Sequence, residues 1–128
     1  MRLATIRTPR GLRLHLAVEG GYVDVADATG DPLLADVGHV LAAGQRATDA
    51  IMRIAGRDGE PVRPADFGPA VPEPPRVLCL GVNYTEHAIE GGRQVPTWPE
   101  AFVRGSASVA GPYEDLVKPA LSTCFDYE

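Results

Sequence analysis

Residues 76–92 read RVLCLGVNYTEHAIEGG, and the prediction of the fold starts from this stretch. The apolar run at 77–80 lies between two prolines and Gly81, which predicts a short strand buried on both faces. Asn83 is placed to cap a following helix, with Glu86 as its capping-box partner. The glycine pair at 91–92 should end that helix after about two turns. The stretch therefore predicts a strand followed by a short polar helix.

Two side chains on that helix form the candidate active site. His87 and Glu90 are three residues apart, so a helix places them on the same face. A carboxylate beside an imidazole can hold one tautomer and stabilise the imidazolium that forms when the ring takes a proton from water. A His-x-x-Glu spacing is a weak motif by itself, so an incidental pair on a surface helix is one alternative. A second alternative makes both side chains metal ligands.

Three blocks of sequence, taken in order, resemble the fumarylacetoacetate hydrolase family: VLCLGVNYTEHAIE, AFVRGSASVAGP and FDYE. The resemblance covers residues 72–128 well and residues 1–71 more loosely. It implies an α+β fold, with a small N-terminal domain of a β-hairpin and helices at 1–70. The beginning of a mixed β-roll catalytic domain would follow at 71–128. Family members are considerably longer, so the chain is expected to be the N-terminal portion of an enzyme, truncated within its metal motif.

The resemblance also implies roles for further residues. Tyr84 and Arg104 would bind substrate, although Arg104 stands where the family usually carries lysine. The planar guanidinium of arginine, with several donors, would then replace the compact ammonium group of lysine. The alternative role for Arg104 is a surface salt bridge. Glu128 would be a metal ligand, with the remaining ligands past residue 128. Oxygen ligands of this kind suit Mg²⁺, Mn²⁺ or Ca²⁺.

The function implied by the resemblance is that of a metal-dependent enzyme acting on 2-oxo or diketo acids. It would hydrolyse a carbon–carbon bond in acylpyruvate or fumarylacetoacetate-like substrates, or carry out a related decarboxylation or isomerisation. His87 with Glu90 would activate water while the cation stabilises an enolate. The full-length enzyme would be a homodimer serving the catabolism of aromatic compounds. The fragment alone is expected to be inactive, and a non-catalytic interaction or dimerisation fragment is the alternative, because the metal site is incomplete.

The residues before the prolines predict a separate small unit. Leucine and valine alternate with other residues over 12–18, the period of a half-buried strand, and this places His15 on the solvated side. A turn at residues 20–21 leads to a hairpin partner. Helical periodicity follows Asp31 and ends at Gly44, with His39 on the surface, and a second helix ends at Gly56. Six prolines between residues 60 and 75 indicate an extended linker.

Composition argues against several classes of partner. The chain has 12 basic and 17 acidic residues, a formal net charge of −5, and no basic patch that would bind nucleic acid. No apolar run approaches the roughly 20 residues that span a membrane. The N-terminus lacks the apolar region of a signal peptide, so the cytoplasm is the expected location.

Three aromatic or sulfur-containing side chains complete the predictions. Cys79 and Cys124 lack metal-binding spacing and are expected to be reduced core thiols. The resemblance places Trp98 in a lid that closes over substrate, and a loop aromatic at the edge of the core is the alternative.

Overall fold

The computed structural model describes residues 1–123, and it confirms an α+β fold. The elements in chain order are β1 (Leu3–Thr8), β2 (Gly11–Val18), β3 (Gly21–Asp24), α1 (Val25–Thr29), a 3₁₀ turn (Pro32–Ala35), α2 (Val37–Ala43), α3 (Gln45–Arg53), a 3₁₀ turn (Pro64–Asp66), β4 (Val77–Gly81), α4 (Thr85–Glu90), β5 (Glu100–Arg104) and a 3₁₀ turn (Ser106–Ser108). Contacts divide the chain into two units. The first unit is Met1–Pro72 with the segment from Ala110 onward, and the second is Glu73–Val109. The domain division predicted from the sequence, at residue 70, stays a prediction.

The first unit is built on a three-stranded antiparallel sheet in the order β1-β2-β3. Leu16 of β2 lies opposite Leu3 of β1 and Val23 of β3, so one face of the sheet is aliphatic. Helices α1 to α3 pack on this face because their apolar residues have no other surface to bury. The resulting core contains Leu14, Leu16, Val25, Leu34, Val40, Ala47, Ile51 and Ile54.

The first predicted helix is interrupted at Asp36. The Asp36 carboxylate accepts hydrogen bonds from the Gly38 and His39 amides at 2.7 and 3.2 Å, and it therefore caps α2 instead of continuing a helix from Asp31. The predicted end at Gly44 is confirmed, since this glycine closes α2 with φ 57°. His39 is an exposed residue of α2, as predicted.

The proline-rich segment is extended but is not a free linker at its start. Glu60 exchanges backbone hydrogen bonds of 2.9 and 3.0 Å with Tyr22 of β3, and the Gly68 amide donates to the Thr5 carbonyl of β1 at 2.9 Å. The segment thus reaches both outer edges of the sheet. Val23 packs against the core, so its neighbour Tyr22 lies on the face of the sheet away from the helices. The Phe67 ring meets the Tyr22 ring edge-on at 5.3 Å, so the segment crosses on that face. A Cβ on Gly21 would lie 2.1 Å from the Glu60 carbonyl oxygen, so this close approach requires glycine.

This crossing segment corrects the prediction for His15. The strand alternation does place His15 on the face opposite the core leucines, but that face is covered and His15 is only 8% exposed. Its Nδ1 lies 3.0 Å from the Arg13 carbonyl oxygen, so the buried ring has a hydrogen-bond partner. The prediction of a solvated histidine was wrong because alternation does not reveal whether a distant segment covers the second face.

An ion-pair network fixes the junction between β3 and α1. The Asp24 carboxylate caps α1 through the Asp27 amide at 3.0 Å and receives Arg13 Nη2 at 2.8 Å. Burial raises the pKa of the Asp24 carboxyl, but the hydrogen bonds from Arg13 and from the Asp27 amide outweigh that effect, so its pKa lies below the usual value of 3.8. Arg10 also contacts Asp27, whose pKa it lowers by a hydrogen bond.

Replacing Asp24 should destabilise the first unit in two separable steps. Asp24→Ala removes both the cap and the Arg13 partner, and we expect a loss of about 2 kcal/mol in urea unfolding. Asp24→Asn keeps a good capping group and loses only the charge, so it should cost about half as much. Equal losses in the two variants would contradict the cap.

The same pair of variants gives a pH dependence with a definite sign. A carboxyl whose pKa is depressed on folding adds stability above its unfolded pKa, and this contribution disappears as the pH falls through the folded pKa. The stability that the Asp24 carboxylate contributes should therefore be lost as the pH falls below about 3.8. In Asp24→Asn the thermal midpoint should decline less steeply between about pH 4 and pH 2 than in the wild type, measured by circular dichroism.

The second unit contains a two-stranded antiparallel hairpin, β4 and β5, and the helix α4. Leu78 faces Val103 and Leu80 faces Ala101 across the hairpin. Leu78 and Val103 are 71% and 63% exposed, so one face of β4 is open among residues 1–123. The prediction of a strand buried on both faces is therefore wrong for this part of the chain, because the hairpin has no second layer on that face.

Among the described residues, no helix has both the length and the apolar character needed to cross a membrane.

Candidate functional site

The helix that carries the candidate residues begins later than predicted. Tyr84, with extended backbone at φ −119° and ψ 137°, is the N-cap of α4, and no side chain in the described part of the chain caps the helix. Asn83 is therefore not the N-cap, and the predicted capping box with Glu86 does not form. Glu86 still lies in the first turn, where its carboxylate favours the positive end of the helix dipole. The start of α4 thus depends on the preceding connection and not on a cap.

The predicted end of α4 at the glycine pair is confirmed. The Gly91 amide donates to the His87 carbonyl at 3.1 Å, and the Gly92 amide donates to the Ile89 carbonyl at 3.0 Å. Gly92 has φ 63°, which suits glycine, and the Arg93 amide then donates to the Ala88 carbonyl at 2.8 Å. These bonds satisfy the last carbonyl groups of a helix only six residues long.

His87 and Glu90 both lie exposed on α4, whereas Ala88 is fully buried. A helix separates residues three apart by about 60° around its axis, so the two side chains share a face directed away from the buried contact. Within residues 1–123, neither a hydrogen bond nor an ion pair connects His87 with Glu90. Catalytic hydrogen bonds often tighten only when substrate binds, so this geometry leaves the proposed pairing open.

The other predicted site residues lie in different places. Tyr84 is exposed directly before α4. Arg104 lies opposite Val77, at the end of the hairpin away from the connection to α4, and its guanidinium lies 5.5 Å from the Phe102 ring centroid. Glu128, the predicted metal ligand, lies outside the described residues, as does Cys124. The structure therefore brings Tyr84, His87 and Glu90 into one short segment, with Arg104 on the neighbouring hairpin.

Two further sequence predictions concern the loop and the thiol of the second unit. Trp98 is 82% exposed in the connection between α4 and β5. Its proposed part in a lid stays a prediction. Cys79 is a free, half-buried thiol of β4.

The described residues do not fit a bound metal ion. In residues 1–123, no three histidine, cysteine, aspartate or glutamate side chains are grouped so that they could hold one. His87 and Glu90 supply two donors on an open helix face, fewer than a divalent cation requires from oxygen and nitrogen ligands.

Val82 is a feature of this segment that the sequence did not indicate. It has φ 49°, and it is the residue other than glycine that has a positive φ in the described chain. A β-branched side chain disfavours this left-handed backbone, and the neighbours Gly81 and Asn83 are the residue types normally found there. No sequence signal therefore pointed to Val82.

Comparisons with known proteins give this segment a context. Residues 76–128 match the family described as fumarylacetoacetate (FAA) hydrolase C-terminal. The chain belongs to the fumarylacetoacetate hydrolase family. The matched residues include β4, α4 and β5, so the fumarylacetoacetate hydrolase match contains His87, Glu90 and Arg104.

The full chain is similar to longer proteins. It is 34% identical over 134 residues to human oxaloacetate tautomerase FAHD2A, mitochondrial, an alignment that covers 100% of this chain and 42% of the human protein. A 2,4-didehydro-3-deoxy-L-rhamnonate hydrolase from Sphingomonas sp. (strain SKA58) is 34% identical over 88 residues, which cover 69% of this chain and 29% of that protein. The chain thus spans less than half the length of these relatives.

A solved structure supports the fold as well as the family. The crystal structure of a Mycobacterium smegmatis protein described provisionally as HpcE matches with a TM-score of 0.69 and 31% sequence identity. The match covers 94% of this chain and 41% of that one. Both units therefore have counterparts in a single solved protein.

Proposed function

We propose that this chain is part of an enzyme acting on small 2-oxo or diketo acids. The observation that carries the proposal is the His87 and Glu90 pair, exposed on one face of a short helix within the family-matched residues. An exposed imidazole on a helix whose opposite side is anchored by Ala88 can reach a small molecule without rearrangement of the fold. Family membership supports the same class of reaction.

The two side chains would share the handling of one proton. His87 would take a proton from water or from a carbon next to a carbonyl, and return it later in the reaction. Glu90 would orient the imidazole and stabilise its protonated form. Tyr84 and Arg104 would bind the substrate, with the guanidinium of Arg104 suited to a carboxylate. These roles extend the resemblance and are part of the proposal.

The outcome of the reaction is proposed at the level of the class. The relatives include a tautomerase and a hydrolase by name, and a group that accepts and returns a proton serves both reactions. The proposal covers hydrolysis of a carbon–carbon bond and the related decarboxylation or isomerisation. The complete enzyme would also bind a divalent cation, Mg²⁺ or else Mn²⁺ or Ca²⁺, with Glu128 among the ligands. When bound, such an ion would stabilise negative charge that develops on the substrate oxygens.

The test uses the complete gene product. The coding sequence after the Glu128 codon is read first, and the encoded protein is then purified and treated with a chelator. Oxaloacetate, acylpyruvates and a fumarylacetoacetate-like diketo acid are offered with and without Mg²⁺ or Mn²⁺. We expect turnover of at least one of these acids, measured as the loss of the enol or diketo absorbance. Lack of turnover of every acid under both metal conditions would refute the proposed function.

A second candidate function rests on the open face of the hairpin. Leu78, Leu80 and Val103 are exposed together on that face, as an interaction or dimerisation fragment requires. Light scattering of the complete product measures association, which the proposed homodimer and this alternative share, so turnover of the acids separates them. A protein that associates but turns over none of the acids would favour the interaction role.

Small-molecule substrates remain the proposed partners, and the cytoplasm remains the predicted location, although the human relative is named mitochondrial.

A further inference from the structure

Val82 forms the connection between the strand β4 and the helix α4. Gly81 on its N-terminal side is the last residue of β4 and pairs with Glu100 of β5. Tyr84 on its C-terminal side is the extended N-cap of α4. Only two residues therefore lie between the paired strand end and the helix cap.

The backbone of Val82 is in a conformation that its side chain opposes. With φ 49° it is left-handed, which places the Cβ of an L residue too close to the neighbouring carbonyl oxygen. Strained backbone of this kind persists only where the surrounding structure imposes it, and such residues cluster at functional sites. Here the hairpin fixes one end of the connection, and the fully buried Ala88 anchors the helix at the other.

Within residues 1–123, no side chain caps the start of α4, and the helix is only six residues long. A helix this short is not stable by itself, so its direction follows from its attachments. A change of φ at Val82 would rotate all of α4 relative to β4, and His87 and Glu90 would move with it.

We propose that Val82 is a positioning residue, whose left-handed backbone aims the His87 and Glu90 face of α4. This inference rests on the proposed function for its meaning, and it adds a residue that touches neither the substrate nor the dyad. The requirement is for the backbone conformation and not for the valine side chain. Residue types that adopt a positive φ should therefore replace Val82 without harm.

The experiment compares Val82→Asn with Val82→Pro in the complete gene product. Asparagine tolerates the left-handed region, whereas proline fixes φ near −65° and forbids it. We expect Val82→Asn to keep kcat within about twofold of the wild type. We expect Val82→Pro to lower kcat about 100-fold with KM changed less than about threefold, because a small misplacement of a catalytic group has an effect of this size.

Amide hydrogen exchange supplies a readout that does not depend on turnover. The Ala88 and Gly91 amides donate within α4 to Tyr84 and His87. In Val82→Pro these amides should exchange at least about tenfold faster, while the amide of Leu14 in the first unit is unchanged. In Val82→Asn both sets should exchange as in the wild type.

Each outcome decides the inference. Wild-type kcat in Val82→Pro, or a loss of kcat in Val82→Asn equal to that in Val82→Pro, overturns it. If Val82→Pro does not fold, Val82→Asn decides by itself, since retained kcat supports the backbone role and lost kcat refutes it. If the wild type turns over none of the acids, the proposed function fails, and the exchange of the α4 amides still tests the positioning role.

Discussion

Replacing His87 by alanine is expected to lower kcat of the complete enzyme by about 10²- to 10⁴-fold, the range that general acid–base catalysis contributes. The side chain is exposed on α4, and that helix is held by backbone bonds and by the buried Ala88. Removing an exposed imidazole creates no cavity, so the fold should be retained. The measurement is steady-state turnover of the acid that the wild type prefers, with circular dichroism to check the fold.

The matched control is His39→Ala. His39 is also an exposed histidine near the start of a short helix, and its Nδ1 lies 3.4 Å from a carboxylate oxygen of Asp36. It belongs to the first unit and to no part of the candidate site. We expect this variant to keep kcat within about twofold of the wild type, as ordinary surface substitutions do.

Metal affinity separates two roles for His87. A general base can be removed without loss of the ion, so calorimetric titration of His87→Ala with Mg²⁺ or Mn²⁺ should give wild-type affinity. If the affinity falls together with kcat, His87 is a ligand, and the alternative in which both members of the pair bind the metal would replace the base. Retained kcat would remove His87 from the mechanism.

The elements that the sequence predicted well are those set by local chemistry. Gly44 and Gly92 follow the ends of α2 and α4 with a positive φ, a backbone conformation that residues other than glycine resist. The alternation in β2 correctly placed Leu14 and Leu16 in the core. The helix that carries His87 and Glu90 was predicted because its end and its spacing are both local features.

The elements that the sequence missed depend on contacts between distant residues. His15 is buried on the sheet face that a segment some fifty residues later crosses, so no window around the strand could reveal its burial. Asp36 caps α2 and interrupts the longer helix that was predicted, because its carboxylate accepts hydrogen bonds from two backbone amides. Val82 has the left-handed backbone although its neighbours Gly81 and Asn83 are residue types that adopt it more readily. The geometry of the connection, and not residue propensity, sets which position is left-handed.

Replacing Ile51 by alanine should give a large loss of stability in the first unit. Ile51 is fully buried in α3 and belongs to a core shared by β2 and the helices α1 to α3. Removing three methyl or methylene groups forfeits their burial and leaves a cavity that close-packed neighbours fill only in part. We expect a loss of about 3 to 4 kcal/mol in the free energy of unfolding, measured by urea titration.

The adjacent residue supplies the control on the same helix. Met52 is 53% exposed, so Met52→Ala makes a similar change in size without opening the core and should cost less than about 0.5 kcal/mol. Ile51→Val removes one methylene and should fall between them at about 1 kcal/mol. This order tests the core directly, since helix propensity favours alanine over both isoleucine and methionine and cannot produce it. Equal effects of Ile51→Ala and Met52→Ala would mean that α3 does not pack on the sheet through Ile51.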